Sequence, residues 1–200
     1  MLKAVARTAA SRMAPDDRRR QLIGIGLRML AERPIQELSV DAVAAEAGIS
    51  RGLLFHYFPT KGRYYDAVLD AAVRRTLRNT EADSGVEGEA GLQQTVTRFY
   101  EQVDRRRDSY LALIFGNGAL PLGGSRVQSV RRTFAERVLG MLGEPASCLP
   151  TAHAWFAYME DRALQWAGAA PDERAPLADE VTHTIAALHR LLQLSRAMSH

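Results

Sequence analysis

The sequence predicts an all-α fold. Apolar residues recur at the three- and four-residue spacing of a helix along nearly the whole chain, and this spacing gathers them on one helical face. Alternating apolar and polar residues, which would indicate a half-buried β-strand, form no run of useful length. Proline, glycine, serine and threonine divide the chain into helix-sized segments, because proline and glycine end helices and hydroxyl side chains cap them.

The composition is that of an ordinary globular protein, with 46% hydrophobic and 24% charged residues among 200. Cys148 is the only cysteine, which excludes an intrachain disulfide and a multi-cysteine metal cluster. The apolar runs are much shorter than the roughly 20 residues that a membrane span needs. Residues 1–15 lack the apolar region of a secretory signal. We therefore expect a disordered basic arm there, a cytoplasmic protein and no membrane partner.

Charge is distributed unevenly along the chain. Residues 1–80 contain 14 basic and 8 acidic residues, a net charge of +6, whereas residues 81–200 contain 12 and 15, a net charge of −3. A basic N-terminal part favours a polyanionic partner, although a solvated charged surface gives the same pattern.

The first part of the chain predicts four helices. The first starts near residue 16 and ends before Pro34, because the residue before a proline avoids the helical region. Ser39 and Ser50 are predicted N-caps of two short helices, and Gly48 ends the first of these in a left-handed conformation. Thr60 is the predicted N-cap of a longer fourth helix.

Residues 39–58 therefore predict a helix-turn-helix unit, with residues 47–49 as the turn. Two short helices bury too little apolar surface to be stable alone, so the helix over 17–32 must pack against them.

Further helices are predicted after a loop rich in glycine and acidic residues over 81–91. A connection over 143–150 contains Gly143, Pro145 and Pro150. The predicted helical ranges are about 90–107, 108–116, 125–142, 151–168 and 176–195.

The helix-turn-helix segment resembles the DNA-binding segment of TetR-type transcriptional repressors, in the run LSVDAVAAEAGISRGLLFHYFPTKGRYYDAV. The resemblance covers about residues 18–70, and beyond them it extends only to the architecture. After the basic arm expected over 1–15, it implies a DNA-binding domain over 16–62 and a helical domain for ligand binding and dimerisation over 63–200. It also implies a repressor that a small apolar ligand releases from a palindromic operator in double-stranded DNA.

The resemblance assigns DNA contacts to the caps, the recognition helix and the start of the fourth helix. The start of the recognition helix faces base edges, the aromatic residues that follow lie at the DNA surface, and the hydroxyl and lysine side chains meet phosphates. The assigned residues are Ser39, Ser50, Arg51, Gly52, Leu53, Phe55, His56, Tyr57, Thr60 and Lys61.

Three positions depart from the family pattern. Leu53 stands where a small polar residue is common, so it can touch a thymine methyl group but donates no hydrogen bond. Phe55 replaces the usual tyrosine and lacks a hydroxyl for a phosphate. Pro34 stands where a glycine is common and alters the turn after the first helix. Arg51 is the residue expected to read a base directly, since an arginine can bind guanine through two hydrogen bonds.

The C-terminal part is expected to dimerise through its last two helices, as the family does, with a four-helix bundle between the two copies. Two-fold symmetry then requires a palindromic operator. The family's ligand pocket would be mostly apolar, with Arg162 or Asn117 as a polar contact, although plain core packing is the alternative for every candidate. The candidate lining residues are Tyr64, Phe99, Tyr100, Phe115, Trp155, Tyr158, Met159, Arg162 and Trp166.

Catalytic and metal-binding motifs do not stand out in the sequence. The five histidines form no HExxH pair, and neither a GxSxG motif nor a phosphate-binding loop occurs. We expect no cofactor, no metal and no enzymatic activity. Two alternatives remain open at this point: an architectural DNA-binding protein that needs no ligand, and a helical interaction protein with a vestigial motif.

Overall fold

The computed structural model describes residues 13–32, 38–108, 110 and 123–198. Within these residues the chain is helical and contains no strand, which confirms the all-α prediction. The helices are α1 (Pro15–Glu32), α2 (Val40–Glu46), α3 (Arg51–Tyr57), α4 (Lys61–Asn79), α5 (Gly88–Arg105), α6 (Gly123–Leu142), α7 (Leu149–Gly168) and α8 (Leu177–Ala197).

Three predicted N-caps are confirmed. The Ser39 hydroxyl oxygen accepts a hydrogen bond from the Ala42 amide at 3.4 Å, and that of Ser50 accepts one from the Leu53 amide at 3.2 Å. Thr60 caps α4 in the same way, accepting from the backbone amide three residues later at 3.1 Å. Each hydroxyl satisfies an amide that has no partner within its helix, so each of the three helices begins at a fixed residue.

The first hydrophobic core lies among α1, α2, α3 and the first half of α4. It contains fourteen buried residues. The Tyr64 hydroxyl donates a hydrogen bond to the Leu22 carbonyl at 2.9 Å, and Tyr65 donates one to the Leu38 carbonyl. Burial raises the pKa of Tyr64 well above its usual value. These two tyrosines attach α4 to α1 and to the segment that leads into α2.

The second hydrophobic core lies among α5, α6, α7 and α8. Aromatic rings fill its centre. Phe99 packs edge-on against Phe156 with ring centroids 5.3 Å apart, and the ring centroids of Phe134 and Phe156 are 4.4 Å apart. Trp155 is fully buried, and its indole N–H donates to the Thr184 carbonyl at 2.8 Å. Edge-to-face and tilted ring contacts of this kind stabilise a core beyond the area that they bury.

The residues of the first core run as far as Leu69 in α4, whereas Leu77 near the other end of α4 packs against the second core. A single helix therefore takes part in both cores. The boundary expected at residues 62 and 63 falls near the start of this helix.

The structure differs from the sequence prediction at the start of α7. Pro150 was expected in a connection, but it lies in the first turn of the helix. Proline is tolerated there because the amides of the first turn have no partner within the helix. Most of the helix expected over 108–116 and the turn at Pro34 lie outside the described residues.

Among the residues that the structure describes, no helix is both long enough and apolar enough to cross a membrane.

Candidate nucleic-acid interface

The turn between α2 and α3 is fixed by its glycine. Gly48 has φ of +65°, a conformation that other residues adopt only with strain. The Gly48 amide donates to the Ala45 carbonyl at 3.1 Å, and the Ile49 amide donates to the Ala44 carbonyl at 3.0 Å. This pair of bonds satisfies the last carbonyls of α2 and turns the chain sharply into α3.

Helix α3 presents one face to solvent and one face to the first core. Leu54 is fully buried and Phe58, which follows the helix, is 1% exposed, so they anchor it. On the outer side Arg51, Gly52 and His56 are exposed, and Leu53 is 39% exposed. Its side chain is therefore not enclosed by the first core. It is available to contact another molecule.

Two neighbouring side chains position Arg51 at the surface. Its guanidinium lies 3.1 and 3.2 Å from the two carboxylate oxygens of Asp41 at the start of α2. The same guanidinium lies 5.4 Å from the centre of the Phe55 ring, which is half-buried. Both partners of the ion pair are mostly exposed, so it contributes at most about 1 kcal/mol. Asp41 and Phe55 therefore orient the Arg51 side chain without binding it tightly.

Aromatic rings support the other predicted contact residues. His56 and Tyr57 pack edge-to-face with ring centroids 5.5 Å apart. The Lys61 ammonium lies 5.0 Å from the centre of the Tyr65 ring, at the first turn of α4. Lys61 is exposed, while Tyr65 is buried. The Tyr65 ring therefore holds the Lys61 ammonium near the first turn of α4 and leaves it exposed to solvent.

Both serines and Thr60 accept hydrogen bonds from their own helices. A hydroxyl that accepts through one lone pair still has its hydrogen to donate. All three side chains lie at helix N-termini, where an anion is favoured electrostatically. The caps can therefore hold their helices and donate to a phosphate at the same time.

The chain is similar to known regulatory proteins in both its sequence and its fold. Residues 22–68 match the model of the family described as bacterial regulatory proteins, tetR family. A solved TetR-family transcriptional regulator from Streptomyces coelicolor superposes with a TM-score of 0.73 and 31% identity, covering 93% of this chain and 85% of that one. The chain belongs to the TetR family of transcriptional regulators.

Two further relatives match the chain over a shorter stretch or at lower identity. EthR, a transcriptional regulator of Mycobacterium tuberculosis, is 36% identical over 80 residues, and the match spans only 37% of either chain. FadR of Thermus thermophilus, a TetR-family repressor solved in complex with lauroyl-CoA, shares 24% identity at a TM-score of 0.50, covering 85% of this chain and 92% of that one. The last comparison shows a shared fold. All of these relatives are described as regulators or repressors of transcription.

Tyr64 lies apart from the other described residues of the predicted ligand pocket. It belongs to the first core, whereas the others belong to or pack against the second, except Arg162, which pairs with Glu180. Phe115 and Asn117 lie outside the described residues. Phe99, Tyr100, Trp155 and Met159 are almost fully buried, and Tyr158, Arg162 and Trp166 are half-buried.

Arg162 already has a partner. It donates to both carboxylate oxygens of Glu180 at 2.6 Å, but its Nε is buried without a hydrogen-bond partner. A buried donor without a partner is costly, which makes Arg162 the candidate best placed to donate to a bound molecule.

Sequence reasoning missed two polar features. Glu160 is buried in the second core, where Tyr110 donates to it at 2.6 Å and Arg131 at 2.6 Å. Burial raises the pKa of Glu160, while both donors oppose that rise. The Asp41–Arg51 pair was also missed, although opposite charges at the starts of the two motif helices were visible in the sequence. Among the described residues no group of three potential metal ligands occurs.

Proposed function

We propose that this chain is a dimeric repressor that binds a palindromic operator through α3 and leaves it when a small apolar ligand binds. The observation that carries the proposal is the division of α3 into a buried anchor and an open face that bears Arg51 and Leu53. A recognition helix needs this arrangement, because base edges are read by side chains that the protein body leaves free.

The roles within the interface follow from chemistry and position. Arg51 is the proposed guanine reader, and Leu53 contacts a thymine methyl group. Gly52 lets the backbone approach the groove, while Phe55, His56 and Tyr57 line its edge. The remaining four residues bind phosphates and set the register: Ser39, Ser50, Thr60 and Lys61.

The dimer is supported by an apolar stripe on the outside of α8. Leu191, Leu194 and Met198 are 37%, 62% and 87% exposed, and half-buried Ala187 continues the stripe one turn earlier. Their spacing of four, three and four residues is the seam of a helix that packs against another helix. A second copy of this chain is the proposed occupant, and α7 is the second helix of its bundle.

The dimer can be tested by sedimentation of two matched variants. Leu194→Glu places a charge in the stripe and should yield monomers, whereas Gln193→Glu places the same charge on the neighbouring exposed position and should leave the dimer intact. Equal sedimentation of the two variants would contradict this interface.

Ligand release is supported by the aromatic second core and by the unpartnered Nε of Arg162. FadR, which has the same fold, holds lauroyl-CoA. A ligand that binds better to the form with badly spaced DNA-binding helices lowers operator affinity by its differential affinity for the two forms.

The ligand proposal calls for a thermal-shift screen of apolar compounds, lauroyl-CoA included. Tyr158→Ala and Trp166→Ala should reduce the shift that any hit produces in the parent. Equal shifts in the variants and the parent would remove these two residues from the pocket.

Operator binding is tested by selecting bound sequences from a random duplex pool. We expect two inverted half-sites at a fixed spacing. An architectural protein would enrich no such palindrome, and a protein with a vestigial motif would enrich no sequence at all.

A regulator of this type works where its operator is, so we place it in the cytoplasm.

A further inference from the structure

A cleft of about 510 Å³ lies between α4 and α5, away from the helix-turn-helix unit. None of the expected pocket residues lines it. Arg75, which lines the cleft, lies 14 residues after Lys61 in the sequence. The two residues are therefore separated by about 21 Å along the axis of α4. The cleft is lined by Arg75, Asn79, Gln102, Arg105 and Arg106.

The cleft has a strong excess of positive charge. Arg105 forms an ion pair with Glu101 at 3.4 Å on the exposed surface. Neither Arg75 nor Arg106 is paired with a carboxylate among the described residues. Three arginines that line the cleft therefore have one carboxylate partner between them among the described residues.

Helix dipoles explain only part of this cluster. Arg105 lies in the last turn of α5, where a cation stabilises the exposed carbonyls. Arg75 lies four residues before the end of α4, and Arg106 follows the end of α5. The effect is confined to the last turn of a helix, so it does not account for Arg75.

Neutral hydrogen-bonding groups join the two helices within the cleft. The Asn79 side-chain amide donates to the Gln102 side-chain oxygen at 3.2 Å. Gln102 is only 6% exposed, and this bond holds it in place. The cleft thus combines arginines, whose guanidinium groups recognise phosphates, with a fixed amide pair.

We propose that this cleft binds a phosphate-bearing small molecule with at least two negative charges. Arginine is suited to this task because its planar group can give two parallel hydrogen bonds to one phosphate. A volume of about 510 Å³ falls within the usual range of ligand sites. It exceeds what a single phosphate fills, so the ligand carries a second phosphate or an organic group.

The experiment is calorimetric titration of the full chain with inorganic pyrophosphate and with ATP, at low salt. The test variant is Arg75→Ala/Arg106→Ala, and the control is Arg74→Ala, which removes an exposed arginine of the same helix that does not line the cleft. Both arginines lie on exposed or half-exposed positions, and thermal melts check that each variant stays folded.

We expect one site per chain, a loss of affinity of about tenfold for each lining arginine removed, and no change in the control. Tighter binding of ATP than of pyrophosphate would assign part of the cleft to an organic group, while equal binding would assign it to phosphates alone, and either result supports the site. Absence of binding, or equal weakening in the control, overturns it.

A second measurement separates this site from the DNA interface. The salt dependence of duplex binding should be unchanged in the double variant, because the cleft is remote from α3. A decrease in the salt slope by about 2, one for each arginine, would show that the cleft contacts DNA, and the small-molecule proposal would then be wrong. The calorimetric result stands whether or not the chain is a repressor.

Discussion

Gly26 offers the sharpest test of how α1 supports the DNA-binding unit. A Cβ atom at this position would lie 2.4 Å from the Tyr64 hydroxyl oxygen and 2.6 Å from Cγ2 of Val68. Both neighbours are fully buried, and Tyr64 is hydrogen-bonded to Leu22. Gly26→Ala must therefore move α1 away from α4 or displace two core side chains.

The matched control lies two residues earlier in the same helix. A Cβ at Gly24 meets nothing within 4 Å, so Gly24→Ala should stabilise the protein by about 0.5–1 kcal/mol through the better helix propensity of alanine. Gly26→Ala has the same propensity gain, but overpacking costs about 1–3 kcal/mol. The two variants should differ by about 1–3 kcal/mol in the free energy of unfolding.

Urea denaturation of the two variants measures this difference directly. In a thermal melt, about 2–4 °C corresponds to 1 kcal/mol for a chain of this size. Adding Tyr64→Phe to Gly26→Ala removes the closest contact and should restore part of the stability. If Gly26→Ala were as stable as Gly24→Ala, the proposed close approach of α1 and α4 would be refuted.

Three further predictions concern charges and pH. Lys61→Ala should reduce the slope of log affinity against log salt by about 1, and an unchanged slope, as expected for Arg74→Ala, would remove its phosphate contact. Asp41→Asn should tighten duplex binding by up to about fivefold, because it frees Arg51 and removes a negative charge from the interface; weaker binding in a mobility-shift assay would instead show that Asp41 positions Arg51. Burial raises the pKa of Tyr100 to about 12, above its usual value of about 10. The neutral phenol therefore stabilises the folded state below pH 10, and this contribution is lost as the pH rises from 10 to 12. The free energy of unfolding of Tyr100→Phe should decrease less over this range than that of the parent, and an identical decrease would contradict burial as the cause.

The elements that local signals determine could be predicted from the sequence. Ser39, Ser50 and Thr60 cap their helices as predicted, because a cap depends on an amide only three residues away. Gly48 has the expected left-handed conformation. Leu54 and Phe58 are both buried, which is the arrangement that apolar residues four positions apart indicate, since helical spacing places them on one side.

The contacts between distant segments could not be predicted in this way. Glu160 contacts Tyr110 and Arg131, which are 50 and 29 residues away, and no local pattern specifies such a pairing. Tyr64 lies in the first core and not among the other pocket candidates, because helical spacing gives the buried face of α4 but not the core to which each turn belongs. The basic cleft likewise forms only where Arg75 and Arg106 meet across two helices.

The proposed function depends on the start of α3 reading bases in duplex DNA. Its test is selection from a random duplex pool, repeated with Arg51→Ala and with Arg74→Ala as the matched control. Arg51→Ala should relax the preference at one base position in each half-site, with a loss of about 1–3 kcal/mol, while the control keeps the parent's preference. An undiminished preference in Arg51→Ala at every position would show that Arg51 reads no base.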